Sequence, residues 1–312
     1  MRALRLLLAV WCGGLLSAGA GWSAQYTGAF LETGLGARAA GMGGAFSALA
    51  DDPAAAYWNP AGLIRSQGQG VLASMQPLSL DRWQHSLAYA LNVRGELALG
   101  LAWQHAGAGE LLARAADGTP LGNIEDGENA YYVAVARALG KRASLGLALK
   151  VLRHTIDTPQ TGTSTGKGAG FDLGAQVYVD DHLTLAATLR NLKGGLDWKV
   201  NRASAQTSTT TDDLALDAGL GVAYRPWTAL VLAAEGHHAD AESYLDLGSE
   251  WRASPLLTLR AGLNRLGSEG AALAFGLSLR PMRRDRFQLH YAYTTDQLGA
   301  GNRVNAGLGL KF

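Results

Sequence analysis

The side chains able to do chemistry are few and spread out. Asp246, Glu250 and Arg252 share one parity on an alternating segment, with Glu235 on the segment before it and Arg260 on the one after. Arg190 and Arg280 have the same facing. Opposite charges on neighbouring segments can pair, either to hold an inserted piece of chain or to line a polar path. An unpaired buried charge is costly, which favours a structural network. The histidines His85, His105, His154, His182, His237, His238 and His290 show no metal-ligand spacing on a helix; His237, His238, Asp240 and Glu242 fall together in one connecting loop, as candidate cation ligands. No Gly-x-Ser-x-Gly elbow occurs, and the glycine-rich run 41–44 lacks the Lys-Ser/Thr ending of a phosphate loop. The expectation is a non-enzyme with no catalytic residues, no cofactor and no metal; a Ser-His pair assembled across strands is the enzymatic arrangement left open.

Composition says what must position these groups. The chain has 312 residues, 48% of them hydrophobic, with 27 Lys and Arg against 26 Asp and Glu. That excludes disorder, which needs low hydrophobicity, and gives none of the basic excess that nucleic-acid binding uses. The 41 glycines, with only 8 prolines, point to many strands and tight turns.

Period-two alternation is the dominant pattern. Trp83, His85, Leu87, Tyr89, Leu91 and Val93 share one face, and Gln84, Ser86, Ala88, Ala90 and Asn92 the other. The same pattern recurs over 97–103, 145–151, 171–179 and 287–294. Segments of this kind predict strands near 70–78, 83–93, 96–105, 129–138, 144–154, 169–179, 182–191, 213–225, 228–236, 243–253, 256–265, 271–280, 286–295 and 303–312. These are about 14 strands of the ~9–11 residues that a tilted strand needs to cross a membrane. One face is Leu, Val, Phe, Tyr and Trp throughout, so an all-β transmembrane antiparallel barrel is expected over a soluble propeller or sandwich.

Link lengths agree. Short links fall at Arg94-Gly95, Gly140-Lys141, Asp180-Asp181, 225–227, 253–255 and 281–285. Longer ones at 106–128, 155–168 and 193–212 alternate with them, the last two rich in Thr, Ser, Gly and Gln as exposed loops should be. The last strand ends on Phe312, resembling the C-terminal signal read by the outer-membrane barrel assembly machinery.

Residues 1–24 have the form of a secretory signal: Arg2 and Arg5, an apolar stretch from Leu6 to Leu16, then Ala18-Gly19-Ala20, with cleavage after Ala20 or Ala24. An uncleaved anchor is the alternative. The single cysteine, Cys12, lies inside it. The predicted organisation is then signal peptide, a 25–66 segment, and a barrel over 67–312.

The inward face is small: Gly146, Ala148, Ala274, Gly276, Ser278, Gly307 and Gly309. A barrel this wide with small inward residues leaves a space for water, ligand or a plug. Residues 25–65 suit a plug. They lack strand alternation; Gly41, Gly43 and Gly44 let backbone approach backbone; Asp52-Pro53 starts a short helix over 54–58 and Asn59-Pro60 stops it.

The run 36–63, GARAAGMGGAFSALADDPAAAYWNPAGL, resembles the N-terminal signature of the PorV/PorQ family and, more distantly, the FadL-like outer-membrane barrels (OMPP1/FadL/TodX). The matching positions are the small residues, Asp51, Asp52, Asn59, Pro60, Ala61 and Gly62; the candidate hatch motif is Gly41, Gly43, Gly44, Asp51, Asp52, Trp58, Asn59 and Pro60. The stretches 170–174 and 189–192 are similar to strand motifs of the PorV-like group. The resemblance implies a 14-stranded outer-membrane barrel with an N-terminal hatch, located in a Gram-negative-type bacterium. It implies one of two roles: passage of small hydrophobic compounds inward through a kinked strand and lateral opening, or a surface platform that receives secreted proteins, type IX-like. The chain lacks the long external loops of typical fatty acid transporters. Expected partners are outer-membrane lipids, the assembly machinery, and hydrophobic small molecules or secreted proteins, with no nucleic acid.

Overall fold

The computed structural model describes residues 28–312 apart from 79–80, 110, 202–206, 241, 269, 282–285 and 296–300, so the predicted signal peptide and Cys12 lie outside the described residues. Three short helices come first, α1 (Ala29–Glu32), α2 (Ala37–Gly41) and α3 (Ala55–Trp58), followed by a 3₁₀ turn, Pro60–Arg65. The strands are β1 (Gln69–Pro77), β2 (Arg82–Val93), β3 (Leu97–Ala108), β4 (Leu111–Arg114), β5 (Pro120–Leu139), β6 (Ala143–Thr158), β7 (Gly162–Tyr178), β8 (Leu183–Leu192) and β9 (Gly195–Asn201). They continue as β10 (Thr207–Asp213), β11 (Asp217–Trp227), β12 (Leu230–Ala239), β13 (Glu242–Arg252), β14 (Leu257–Leu266), β15 (Ala272–Leu279), β16 (Phe287–Thr294) and β17 (Arg303–Lys311).

Every pairing is antiparallel, and β1 pairs with both β2 and β17, so the sheet closes on itself. Here β4 is a flap on β5, while β9 and β10 prolong β8 and β11; 14 strands form the closed barrel. Closure leaves no open edge, the condition for strands to cross a bilayer.

Alternation decides which face is which. Leu87, Leu99, Leu101, Val133, Leu147, Val151 and Phe171 lie outward and exposed, whereas Ala88, Ala98, Ala102, Ala134 and Ala148 between them are buried. An apolar belt of this kind on a closed barrel is stable only against hydrocarbon. Among the described residues no helix is long and apolar enough to cross a membrane.

The predicted links differ in two respects. Trp227 belongs to β11, so that turn is 228–229. More substantially, the expected loops 106–128, 155–168 and 193–212 carry strand: β5 starts at Pro120, β6 and β7 run on to a turn at 159–161, and β9 and β10 pair beyond the barrel wall. Their Thr, Ser and Gly residues still alternate and hydrogen-bond as a ladder; polar composition above the membrane hides strand, because both faces there can be wet. At the opposite end, Asp180 Oδ1 accepts the backbone N–H groups of His182 and Leu183 at 2.8 Å each, which fixes that turn and holds its carboxyl below the usual range.

Candidate functional site

The inward side of the wall meets residues 28–66. The α2 helix packs on β15, β16 and β17, and the 3₁₀ turn on β5, β6 and β7. Small residues on both partners allow this approach. A Cβ on Gly276 would stand 3.0 Å from the Gly41 Cα, and one on Gly43, whose φ is +65°, would lie within 2.7–2.8 Å of the Leu263 backbone. A Cβ on Gly146 would collide with the Pro60 carbonyl and the Ala61 nitrogen, and one on Gly44 would press on the Asp246 carboxylate.

An irregular chain away from water must have its backbone polar groups satisfied by the wall. Inward side chains do this at widely spaced points. Gln104 Nε2 donates to the Phe30 carbonyl (2.9 Å), Gln84 Nε2 to that of Gly34 (3.0 Å) and Gln176 Nε2 to that of Ser47 (2.7 Å). Asn264 Nδ2 donates to the Gly43 carbonyl at 2.9 Å, and the amides of Phe46 and Ser47 donate to Glu235 Oε2 at 2.9 and 2.8 Å. Asn59 Nδ2 donates to the Ala175 carbonyl of β7 (3.2 Å) and, within the segment, to that of Ser47 (3.1 Å); its Oδ1 accepts from Ala61 N (3.1 Å), and Trp58 Nε1 donates to the Leu35 carbonyl (2.8 Å). Asp52 Oδ1 caps Ala54 N at 2.9 Å ahead of α3.

The predicted charges separate into two clusters. Toward the short-link end, Arg38 pairs with Asp51 (2.5 Å), Asp52 (3.2 Å) and Glu250 (3.0 Å). Glu250 also takes Arg260 Nε at 2.7 Å, and Arg260 Nη1 donates to Ser278 Oγ, which meets His290 Nδ1. Arg280 is half-buried at the end of β15, and Arg252 is exposed at the rim instead of joining the inward set. In the other cluster, Arg190 pairs with Asp217, and Asp246 Oδ1 accepts from Arg265 N at 2.6 Å. Glu235 and Asp246 are opposed in register, carboxyl beside carboxyl. Buried His237 stands among them, 3.1 Å from Asp217, 3.5 Å from Glu235 and 3.8 Å from Asp246.

That position corrects the loop reading of His237: it lies in β12 facing inward, because the strand runs on to Ala239. His238, Asp240 and Glu242 are exposed, His238 on Ser243 Oγ at 2.9 Å. Among the described residues no three or more His, Cys, Asp or Glu side chains are placed so that they could hold a metal ion, the His237 cluster included.

Sequence reasoning missed a third group. Lys150 and Asp172 form an ion pair at 2.7 Å, with side chains 3% and 1% exposed. Asn191 joins them, its Oδ1 accepting from Lys150 Nζ (2.5 Å), its N–H donating to Asp172 (2.7 Å) and its Nδ2 to the Ala215 carbonyl (2.6 Å). The signal was available: both charges have inward parity on adjacent predicted strands.

This group sits where the wall is interrupted. Ladder pairing between β7 and the next strand stops after Phe171↔Leu192 and resumes at Lys167↔Asp197. On the other side it stops at Arg190↔Asp217 and resumes at Gly195↔Asp213. Asn191 and Lys193 take positive φ (65° and 50°), so β8 kinks before β9. Backbone fills the break: a Cβ on Gly168 would collide with the Gly195 carbonyl, and one on Gly170 would stand 3.0 Å from the Gly194 Cα. Inside it lie Leu152, Leu196, Trp198, Leu214, Tyr57, Trp58 and Tyr132, all buried in one apolar cluster. Tyr57 packs edge-on to Trp58 and Tyr132 at 5.0 and 5.8 Å between ring centroids.

No protein-family model matches the chain, and no curated protein sequence matches it. By structure it is similar to the toluene transporter TbuX of Ralstonia pickettii, with a TM-score of 0.66 at 13% identity over 88% of this chain and 97% of that one. It is similar to the P. putida toluene transporter TodX, at 0.66 and 13% over 90% and 99%, and to a Pseudomonas aeruginosa FadL homologue, at 0.61 and 11% over 88% and 96%. At these identities the likeness establishes the fold, that of the 14-strand barrels of outer-membrane hydrocarbon channels.

Proposed function

We propose that this chain is a passive outer-membrane channel for small hydrophobic compounds, with residues 28–66 as its plug. The reading rests most on one observation, the interrupted ladder at Gly168–Gly170 and Asn191–Gly194 backed by a buried cluster of aromatic and aliphatic side chains. A hydrophobic molecule entering there passes from one apolar surroundings to another, and transfer between them needs neither a covalent step nor an energy source. The fold shared with two toluene transporters supports the same substrate class. In this reading the ion pairs on Arg38 and the backbone hydrogen bonds to Glu235 hold the plug in register with the wall. Phe312, exposed at the barrel's C-terminal end, serves assembly and not passage.

The PorV/PorQ-like alternative, a platform for secreted proteins, draws on the close glycine packing around Gly41 and Gly43, which suits a plug that never moves. Uptake of toluene and of oleate by proteoliposomes separates the two. The channel reading expects uptake that saturates slowly and ignores ion gradients; an inert barrel that admits neither compound contradicts it.

A further inference from the structure

Hydrocarbon passage leaves unused a charged patch on the outward face. Trp103, Tyr131 and Val151 occupy one outward row across β3, β5 and β6; the next row toward the long-link end is His105, Asn129, Arg153, Lys167 and Asp197. Trp103 Nε1 donates to Asn129 Oδ1 at 3.1 Å, tying the aromatic row to the polar one. Trp and Tyr on a membrane barrel mark the headgroup level. Arg153 and Lys167 therefore stand at that level.

Their register is unusual. Arg153 is directly opposite Lys167, and Lys199 follows one row on, opposite Thr165. All three are exposed, and none makes an ion pair among the described residues. Like charges directly opposed across strands, ~5 Å apart, destabilise a sheet, and an anion between them reverses the sign. The one carboxylate in that row, Asp197, faces Lys167 from the far side and is engaged by Thr211 Oγ1 at 2.7 Å. Beside the cations runs an open groove of about 400 Å³. Its near part is Asn129, Tyr131, Arg153 and Thr155 and its far part carries the carboxylates Glu125, Asp126 and Asp157, so that an anion is confined to the cation end. Below it the surface is Val151, Leu149 and Phe171.

We propose that this face binds a phosphate-bearing glycolipid of the outer leaflet. The phosphates lie among Arg153, Lys167 and Lys199, the sugar in the polar groove, and the acyl chains on the apolar belt beneath. Each element of the surface matches one part of such a lipid: charge to phosphate, hydroxyl and amide groups to sugar, exposed aliphatic side chains to hydrocarbon.

The test is native mass spectrometry of the purified barrel in an uncharged detergent. The probes are a bis-phosphorylated acylated glucosamine disaccharide and the same lipid without its phosphates. Replacing the three cations together (R153Q, K167Q, K199Q) is expected to weaken retention of the phosphorylated probe roughly 100-fold, since each basic residue near a lipid surface contributes about fivefold. Heat-dependent gel migration should stay unchanged. Equal retention by the triple variant overturns the proposal. So does a parent that does not distinguish the two probes, an equal loss in a K141Q/R142Q variant at the opposite rim, or full displacement by excess inorganic phosphate, which would mark a free-anion site. The inference depends on the chain's lying in a membrane. A parent without heat-dependent migration would defeat that premise, whereas lost binding preference with migration intact defeats only the lipid site.

Discussion

The wall from β13 to β17 and the wall around β7 to β11 meet the same inserted segment by different means. On the first side, backbone touches backbone through Gly41, Gly43, Gly262 and Gly276, and the Arg38–Glu250–Arg260 cluster ties the two together. On the second, the ladder is broken, and side chains bridge the break: Lys150, Asp172 and Asn191 on one flank, Arg190 and Asp217 on the other. Backbone contact between glycines has one geometry and no alternative rotamers. A side-chain network has several. The difference teaches where a closed barrel can change without unfolding, and it is the reason the proposed passage is put on the β8 side.

The largest effect should come from filling the glycine contact. Gly43→Val adds a branched side chain at φ +65° against the Leu263 backbone, and Gly276→Val, without the positive φ, adds one against the Gly41 Cα. Steric insertion of this kind costs about 1–3 kcal/mol or more, and a β-branched residue at positive φ adds to it. Both variants should lose heat-dependent gel migration or show it at a markedly lower transition temperature. A parent-like transition would mean that this side is not rigid.

Next is the buried pair at the kink. Lys150→Met alone leaves Asp172 charged and unpaired, at a cost of about 3–5 kcal/mol, whereas Lys150→Met with Asp172→Leu should recover most of it. Denaturant unfolding checks this, and uptake should rise in the double variant because the bridge across the break is gone. A double variant as unstable as the single one would show that the pair is not what closes the break.

Asn59→Ala should cost about 1–2 kcal/mol, the range for a lost helix cap, here with the side-chain donations to the Ala175 carbonyl and to the Ser47 carbonyl, which keeps Gln176 as a donor, also lost. The thermal transition would shift without loss of the barrel, and no shift at all would mean that Asn59 does not hold the turn.

Smallest is Arg265→Gln, which breaks pairs with Glu32 and Glu242 whose acidic side chains are 56% and 48% exposed. Such pairs contribute ~0.2–1 kcal/mol. A larger loss would mean that α1 anchors the segment, which would weaken the contrast between the two walls.

Much of the barrel is legible in the sequence because alternation is a direct consequence of strand geometry. Every inward Ala or Gly between outward Leu residues in β2, β3 and β6 can be assigned by counting in twos. The β9 and β10 strands escape this reading, since above the membrane neither face need be apolar. The charges are legible only as inward-facing groups. That Glu250 pairs with Arg260 follows from adjacency, but that Arg38 reaches across from the inserted segment requires the fold. The loop reading of His237 fails for a related reason: in a strand that ends in polar residues, period two does not say where the strand stops. Gln84, Gln104 and Gln176 are visible as inward polar residues. Their task of satisfying an irregular backbone depends on where residues 28–66 run.

The central claim, a fixed wall on one side and a passage on the other, can be tested with two disulfides in a chain whose only cysteine is Cys12. A Cβ on Gly307 stands 3.6 Å from that of Ala37, and one on Gly194 stands 3.3 Å from that of Leu214, both near the span a disulfide bridges. Toluene uptake by proteoliposomes should be unaffected when Cys replaces Ala37 and Gly307, which pins the segment to β17. It should stop when Cys replaces Gly194 and Leu214, which locks the kink, and return on reduction. Uptake lost to the first cross-link and indifferent to the second would contradict the account.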